Sequence, residues 1–487
     1  MRLTKDATER SGRPKTILAI ILVSYFMILL DNSVVFTGLP SIRTDLGLTT
    51  AALSWVQDAY TLVFGGLLLL GARAGDLVGR RRLFVIGLAI FGAASLLIGL
   101  APTGSWLVAS RALQGIGAAI VAPTSLALIT AHFEGQARAR AVAWYSATAG
   151  IGASLGLVVG GSLTEWVSWR AAFLVNVPIA VAMIVVASRV LAETERRHGR
   201  FDSPGALLTT LGMGSLVFGI IESGTRGWVS PVTVSGLAVG VVLLTVLVVH
   251  ESRAEHPIMP LRLFRSRERS GAYVARMLYL GAMIGFFFFT TQYLQDVLGF
   301  SPLQAGAGFF PMTVVNFIVA MAVPRLSSRM PGAALMAAGV TLTLVGMAWL
   351  SRLEVGDTYA TAVALPMLLI GAGQGLAFAP LTSSGIVGVR AEDAGAASGL
   401  VNTAHQMGTA LGLGILVAVS AHAGTDGPDD GAEITAHVST ALTGASVLLA
   451  AALLVVVTVI VPTHLRRRPV PDADHPVEQA PALTPTR

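Results

Sequence analysis

The feature that most constrains this chain is a recurrence: from residue 17 to residue 461, runs of about twenty apolar residues follow one another, each bounded by charge or by Pro and Gly clusters. A helix rises about 1.5 Å per residue, so about 20 apolar residues cross a hydrocarbon core about 30 Å thick. Fourteen such runs can be counted, the first over 17–39 and the last over 437–461. Charged residues make up only 12% of the chain, about half of what soluble domains carry. The expected fold class is therefore an all-α polytopic membrane protein with fourteen transmembrane helices. Collagen, coiled coil and a disordered chain are excluded. The absence of Cys removes thiol nucleophiles, iron–sulfur clusters and thiolate metal sites.

A net charge of +6 raises the question of nucleic acid, and the placement of the basic residues answers it. With the N-terminus in the cytoplasm, 27 of the 33 Lys and Arg fall in the tails and loops on that side. Arg43, Arg170, Arg226 and Arg352 fall on the other face, and Arg111 and Arg276 lie inside runs. That is the positive-inside distribution, with both termini cytoplasmic. The partner it implies is the lipid bilayer, not nucleic acid, and no obligate protein partner is evident. Arginine outnumbers lysine 31 to 2, a bias that points to a GC-rich bacterial genome and so to a bacterial inner membrane. Trp55, Trp106, Trp166, Trp169, Trp228 and Trp349 fall near the outer ends, as an interfacial aromatic belt would. Asp31 interrupts the first run and no A-x-A-like site follows, so it reads as an uncleaved helix rather than a signal peptide.

Gly152-Ala-Ser-Leu-Gly156-Leu157 recurs as Gly408-Thr-Ala-Leu-Gly412-Leu413, at an offset of 256. Ala122-Pro123 recurs as Ala379-Pro380, at 257. Either small residues have matched by chance or two halves are duplicated, and two matches at nearly one offset favour duplication. The expected organisation is a cytoplasmic tail (1–16), a six-helix bundle (17–188), an inserted helix pair (204–250), a second six-helix bundle (271–461) and a disordered Pro-rich cytoplasmic tail (465–487).

Ionisable groups at membrane depth are expensive, which makes each one a functional candidate. Asp31 lies about 21 Å along the first span. It is either a proton-exchanging carboxyl or an acid tied to neighbouring amides or an arginine. Arg111, Gln114 and Gly115 share a helical face in the fourth span with Gly117 beside them, and a membrane arginine needs an acid partner. In the loop between spans two and three, Asp76, Gly79, Arg80 and Arg81 are either a simple anchor or a charge latch in which Asp76 pairs with Arg80 or a helix N-terminus. Gly152, Gly156, Gly160 and Gly161 form a ridge of small residues for close packing. Asp58 and Glu222 fall near outer ends, where water makes them cheap, while His405 with Gln406 is deeper. Phe286–Phe289 and Tyr293 either stack on flat substrates or face lipid, and Asp58, Gln292, Tyr293, His405 and Gln406 make up the candidate substrate cavity. No phosphate loop, GxSxG or HExxH motif occurs, so an enzyme is not indicated, no metal or cofactor is expected, and the energy source is one other than ATP.

At these residues the chain resembles the major facilitator superfamily, and within it the fourteen-helix drug:proton antiporters, over roughly 17–461. RALQGIGAA (Arg111–Ala119) is similar to the family's span-four motif, and Asp76, Gly79, Arg80 and Arg81 to its loop motif, although Ala72 stands where the family has Gly. LLDNSVVFTGLPSI (Leu29–Ile42) resembles the signature whose acid carries the proton, a role that maps onto Asp31 with Arg111 beside it. The antiporter motif GxxxGPxxGG is matched at Gly152, Gly156, Gly160 and Gly161, but Leu157 replaces the proline, which removes a kink. Trp169, Arg170, Asn176 and Pro178 also follow the family's manner. The resemblance implies a proton-coupled exporter of amphipathic or lipophilic drugs, antibiotics and dyes, driven by the proton motive force. The alternatives are a dedicated exporter of one endogenous metabolite or amino acid and, further off, a membrane sensor that does not transport. Asp31→Asn is expected to fold normally and to abolish uphill export.

Overall fold

The computed structural model describes residues 2–193, 202–254, 257, 259–390, 393–421, 423 and 430–466. Most of the Pro-rich tail 465–487 and of the loop 422–433 therefore lies outside the described residues, as do the side chains of residues 2–13 and of Asp76.

Among the described residues there is no strand, and the chain is a bundle of long helices. We label them α1 (Arg2–Leu46), α2 (Thr50–Val78), α3 (Arg80–Gly99), α4 (Gly104–His132), α5 (Gly135–Trp166), α6 (Trp169–Val190) and α7 (Ser203–Arg226). They continue as α8 (Pro231–Arg253), α9 (Arg267–Val297), α10 (Pro302–Ser327), α11 (Gly332–Leu350), α12 (Tyr359–Ser384), α13 (Ala394–Ser420) and α14 (Gly431–Thr463). Side-chain caps begin several of them. Thr49 accepts from the Ala52 amide and Thr103 from Trp106, and Ser301 and Gln304 close a capping box ahead of Pro302. Gly79, at φ +107°, makes the sharp corner between α2 and α3. α6 breaks after Leu174 and restarts at Asn176, close to Pro178, which has no amide to donate.

Twelve of these helices are long and apolar enough to cross a membrane. The other two are α5 and α13, of 32 and 27 residues. Both are long enough to span, and α13 carries Asn402, His405 and Gln406, which dilutes its apolarity.

One apolar core gathers α1 to α6 around Phe84, Phe91 and Ile129, and a larger one is dominated by α9 to α14. α7 lies between α2 and α13, where Val217 and Ile221 meet Leu62, Met407 and Ala410. α8 packs on α7 through Gly219, Gly236 and Gly240 and turns a valine-rich face outward. The repeated glycine motifs do the same job twice. A Cβ on Gly156 would lie 3.0 Å from the Leu30 carbonyl of α1, and one on Gly408 would lie 2.4 Å from the Met277 carbonyl of α9. Each motif thus brings the fifth helix of its group onto the first. α5 is continuous through Leu157.

Polar bonds tie the two groups together at the end of the bundle opposite the N-terminus. Arg43 pairs with Asp296 at 2.9 Å, Gln295 donates to the Thr37 carbonyl at 3.0 Å, and the Ser301 hydroxyl and Leu303 amide donate to Glu165. Gly161 fits here against Pro302, where a Cβ would come within 2.5 Å of the carbonyl oxygen. Gly306 fits in the same way against Leu157. Nearer the other end, the Thr403 hydroxyl donates to the Gly65 carbonyl at 3.4 Å, and within the second group Arg262 grips Asp393 with two bonds of 2.9 and 2.6 Å. That guanidinium holds the Asp393 carboxyl below the usual carboxylate range.

Two expectations about the ends of spans need correction. Trp169 is not part of an exposed belt: it is 4% exposed, its Nε1 donates to Asp45 at 3.0 Å, and Arg170 stacks on its ring while also pairing with Asp45. Trp106, Trp166, Trp228 and Trp349 do remain exposed. Asp58 is not solvated either. It is fully buried about 12 Å along α2, and neither carboxylate oxygen has a partner. α2 is sandwiched by α7 and α13, so depth along the helix alone misjudges its access to water. Glu222 does sit near a helix end, paired with Arg226 at 2.5 Å.

Candidate functional site

The polar centre of the first group is built on Asp31, which is completely buried in α1. Its Oδ2 accepts from Arg111 Nη1 at 2.7 Å, and its Oδ1 accepts from Gln114 Nε2 at 2.8 Å and from Asn176 Nδ2 at 2.7 Å. The three donors come from α4 and from the broken start of α6. The spacing of Arg111 and Gln114 sets them on one face, and the break in α6 turns Asn176 inward. Gln114 also donates to Ser95 of α3 at 2.9 Å and accepts from Arg111 at 2.5 Å. Arg111 Nε donates to the Val56 carbonyl of α2 at 2.9 Å, and the guanidinium lies 4.3 Å from the Tyr60 ring centroid. The carboxylate itself therefore ties α1, α4 and α6 together, and through Arg111 and Gln114 the network extends to α2 and α3.

A buried ion pair is weak evidence for stability, because desolvation of both charges offsets most of their attraction. Removing one partner is another matter, because a lone buried charge remains. This pair is also incompletely satisfied: Arg111 Nη2, Asn176 Oδ1 and the Tyr60 hydroxyl have no partner.

The loop residues gather elsewhere, at the corner between α2 and α3. The amides of Arg81 and Arg82 donate to Glu193, at 3.2 and 3.3 Å. An acid here complements the exposed amides of the α3 N-terminus, and it is Glu193, a residue to which the sequence motif does not point. Arg81 donates to the Ser188 carbonyl at 2.6 Å and Arg80 to the Ala127 carbonyl at 2.8 Å, so both bind within their own group. A Cβ on Gly79 would meet Glu193 at 2.6 Å. The role expected of Asp76 as a charge partner lies outside the described residues.

The expected substrate cavity does not assemble as one site. Gln292 donates back to the Phe288 carbonyl of its own helix at 3.1 Å, and the Tyr293 hydroxyl donates to the Glu354 carbonyl at 3.0 Å, both deep in the second group. Phe286, Phe288 and Phe289 are buried as well, facing neither lipid nor a cavity; Phe287 reaches across to Phe36 at 5.5 Å between ring centroids. His405 instead meets Arg276, and Gln406 packs at Gly65 of α2. Sequence reasoning passed over Ser95, Tyr60 and Arg276 as site residues and gave Asn176 no role. The break beside Pro178 and the very presence of Arg276 in a span were the available signals.

Two helical groups that meet along a seam of short glycine contacts, the first of them built on a buried acid–arginine pair, define the class of secondary transporters. The Major Facilitator Superfamily profile matches residues 21–413, and the chain belongs to that family of multi-pass membrane proteins. It is 39% identical over 468 residues to a cephamycin export protein of Amycolatopsis lactamdurans, covering 95% of each chain. It is 38% identical over 413 residues to a puromycin resistance protein of Streptomyces alboniger, covering 83% of this chain and 81% of that one. Among solved structures, a peptide transporter crystallised with sulfate superposes with a TM-score of 0.68 at 16% identity, covering 93% of this chain and 95% of that one. That likeness concerns the fold alone.

Proposed function

We propose that this chain is a proton-coupled exporter of amphipathic or lipophilic small molecules, antibiotics and drugs among them, working by alternating access in the bacterial inner membrane. The observation that carries the reading is the Asp31–Arg111 pair, fully buried at 2.7 Å, in a chain whose relatives are named for antibiotic export and resistance. All fourteen helices cross the membrane in this reading, α5 and α13 included, as two six-helix bundles with α7 and α8 inserted and both termini cytoplasmic. The bonds from Arg43, Gln295 and Glu165 then close the outer face.

Asp31 exchanges the proton. When ionised it holds Arg111, Gln114 and Asn176; when protonated it loses the charge to which they donate, and α1, α4 and α6 are free to shift together. One proton falling through about 150 mV supplies about 3.5 kcal/mol, enough for a concentration ratio of a few hundredfold. The relative named for cephamycin export, aligned over 95% of both chains, favours as a second reading the dedicated export of one compound. A resistance and accumulation screen with and without a protonophore tests the proposal. Protonophore-sensitive exclusion of at least one amphipathic compound is expected, and accumulation indifferent to both the protein and the protonophore across the panel would refute it.

A further inference from the structure

Arg276 of α9 is only 3% exposed, about 14 Å from the start of its helix. Its Nη1 donates to Thr382 Oγ1 of α12 at 2.8 Å and its Nη2 to His405 Nδ1 of α13 at 3.2 Å. The guanidinium carbon lies 4.7 Å from the Phe378 ring centroid, and the buried Nε has no partner. An imidazole nitrogen that accepts from arginine belongs to a neutral ring, and threonine carries no charge. The cluster therefore holds one uncompensated positive charge, because no carboxylate among the described residues pairs with Arg276. Arg111, the other arginine inside a span, has Asp31. A buried charge without a counter-ion is costly, and a mobile anion can supply the missing partner.

The surroundings fit the rest of such a molecule. Gln374, Phe378 and Thr382 follow one another at i, i+4 and i+8 on one face of α12. The Gln374 Oε1 is buried without a donor, while the Phe378 ring is 37% exposed beside the guanidinium. Next to His405, Gln406 lies against Gly65 of α2, which sets the cluster beside the seam between the groups that rock in transport.

We propose that this cluster is the anion-binding end of the substrate site. The exported compound is an amphipathic organic anion whose carboxylate or sulfonate pairs with Arg276, whose apolar body lies along Phe378, and which can donate a hydrogen bond to Gln374. The inference rests on the exporter reading and narrows its substrate class.

The test is equilibrium binding to the purified full chain in phosphatidylcholine nanodiscs. The probes are 11-dansylaminoundecanoic acid and its methyl ester, which differ only in charge. Wild type is expected to bind the acid at least tenfold more tightly than the ester. Arg276→Gln abolishes that preference while keeping the ester's affinity, and Arg276→Lys, which retains the charge should Arg276→Gln not fold, keeps part of it. Acid and ester bound alike by wild type, neither bound, or a preference that survives Arg276→Gln would each overturn the inference. So would loss of acid binding in discs containing phosphatidylglycerol, since the anion would then be a lipid headgroup. The protonophore screen judges the exporter reading separately, so either can fail without the other.

Discussion

The Asp31–Arg111 pair admits a test that separates a coupling site from a structural brace. Both side chains are 0% exposed and the bond is 2.7 Å. Asp31→Asn leaves the Arg111 guanidinium buried with only the Val56 carbonyl, the Gln114 side chain and one neutral amide oxygen, a loss worth about 3–5 kcal/mol for broken buried pairs. The sequence alone leads one to expect a normally folded variant; the geometry revises this to a protein that inserts but melts many degrees lower. Arg111→Gln leaves the opposite charge, held only by Gln114 and Asn176, and is expected to cost a similar amount. Joined in one chain, the two substitutions remove both charges at once, so neither is left buried alone and the combined cost should be smaller than the sum of the single ones. Thermal melts in detergent should then show a coupling energy of a few kcal/mol in a double-mutant cycle. Efflux in everted vesicles is the second readout. The double variant should recover stability and still lack protonophore-sensitive transport, because no group remains at Asp31 to exchange a proton. Uphill export restored along with stability would refute the coupling role and leave the pair as a brace.

The other predictions use other parts of the structure. Gly79→Ala combines an unfavourable φ of +107° with a Cβ 2.6 Å from Glu193, and should lower thermal stability by about 1–3 kcal/mol, whereas Gly47→Ala, at φ +63° with open space around it, should cost less. Gly161→Ala drives a Cβ to 2.5 Å of the Pro302 carbonyl and Arg43→Ala removes the 2.9 Å pair to Asp296, so each should raise maleimide labelling of a Cys introduced at Thr37, read easily in a chain with no Cys. Unchanged labelling in both would show that these contacts do not hold that end closed. Asp58→Asn removes the capacity to ionise at a buried site without a partner, and should leave the melting temperature unchanged or raise it; a marked fall would mean that the carboxylate has a partner in the membrane.

Run length alone made the helices legible but not their ends: the apolar run 17–39 became α1, Arg2–Leu46, because a helix continues past the apolar stretch that marks it. The rule that a membrane arginine needs an acid pointed from Arg111 toward an acid such as Asp31, because desolvation makes the requirement nearly universal. What run length does not carry is azimuth. Asp58 is as close to a helix end as a solvated acid would be, yet α7 and α13 cover that face of α2, and the packing of an inserted pair is not written in α2 itself. Gln292 and Tyr293 look like cavity residues because they are polar and deep, but local carbonyls satisfy both, and the wider turn at Tyr293–Val297 points the tyrosine at Glu354.

The two arginines inside spans bring these strands together. A duplicated architecture leads one to expect like chemistry in both groups, and packing bears that out, since each glycine motif seats its helix on the first helix of its group. Polar chemistry breaks the symmetry. Arg111 is neutralised within the protein by Asp31, whereas Arg276 is left with a histidine, a threonine and an aromatic ring. In the proposed exporter the first network serves the proton and the second the cargo. In the proposed exporter the α2–α13 seam, where Gly65 meets Gln406 and Thr403, joins the helix whose Val56 carbonyl holds Arg111 to the helix that carries His405.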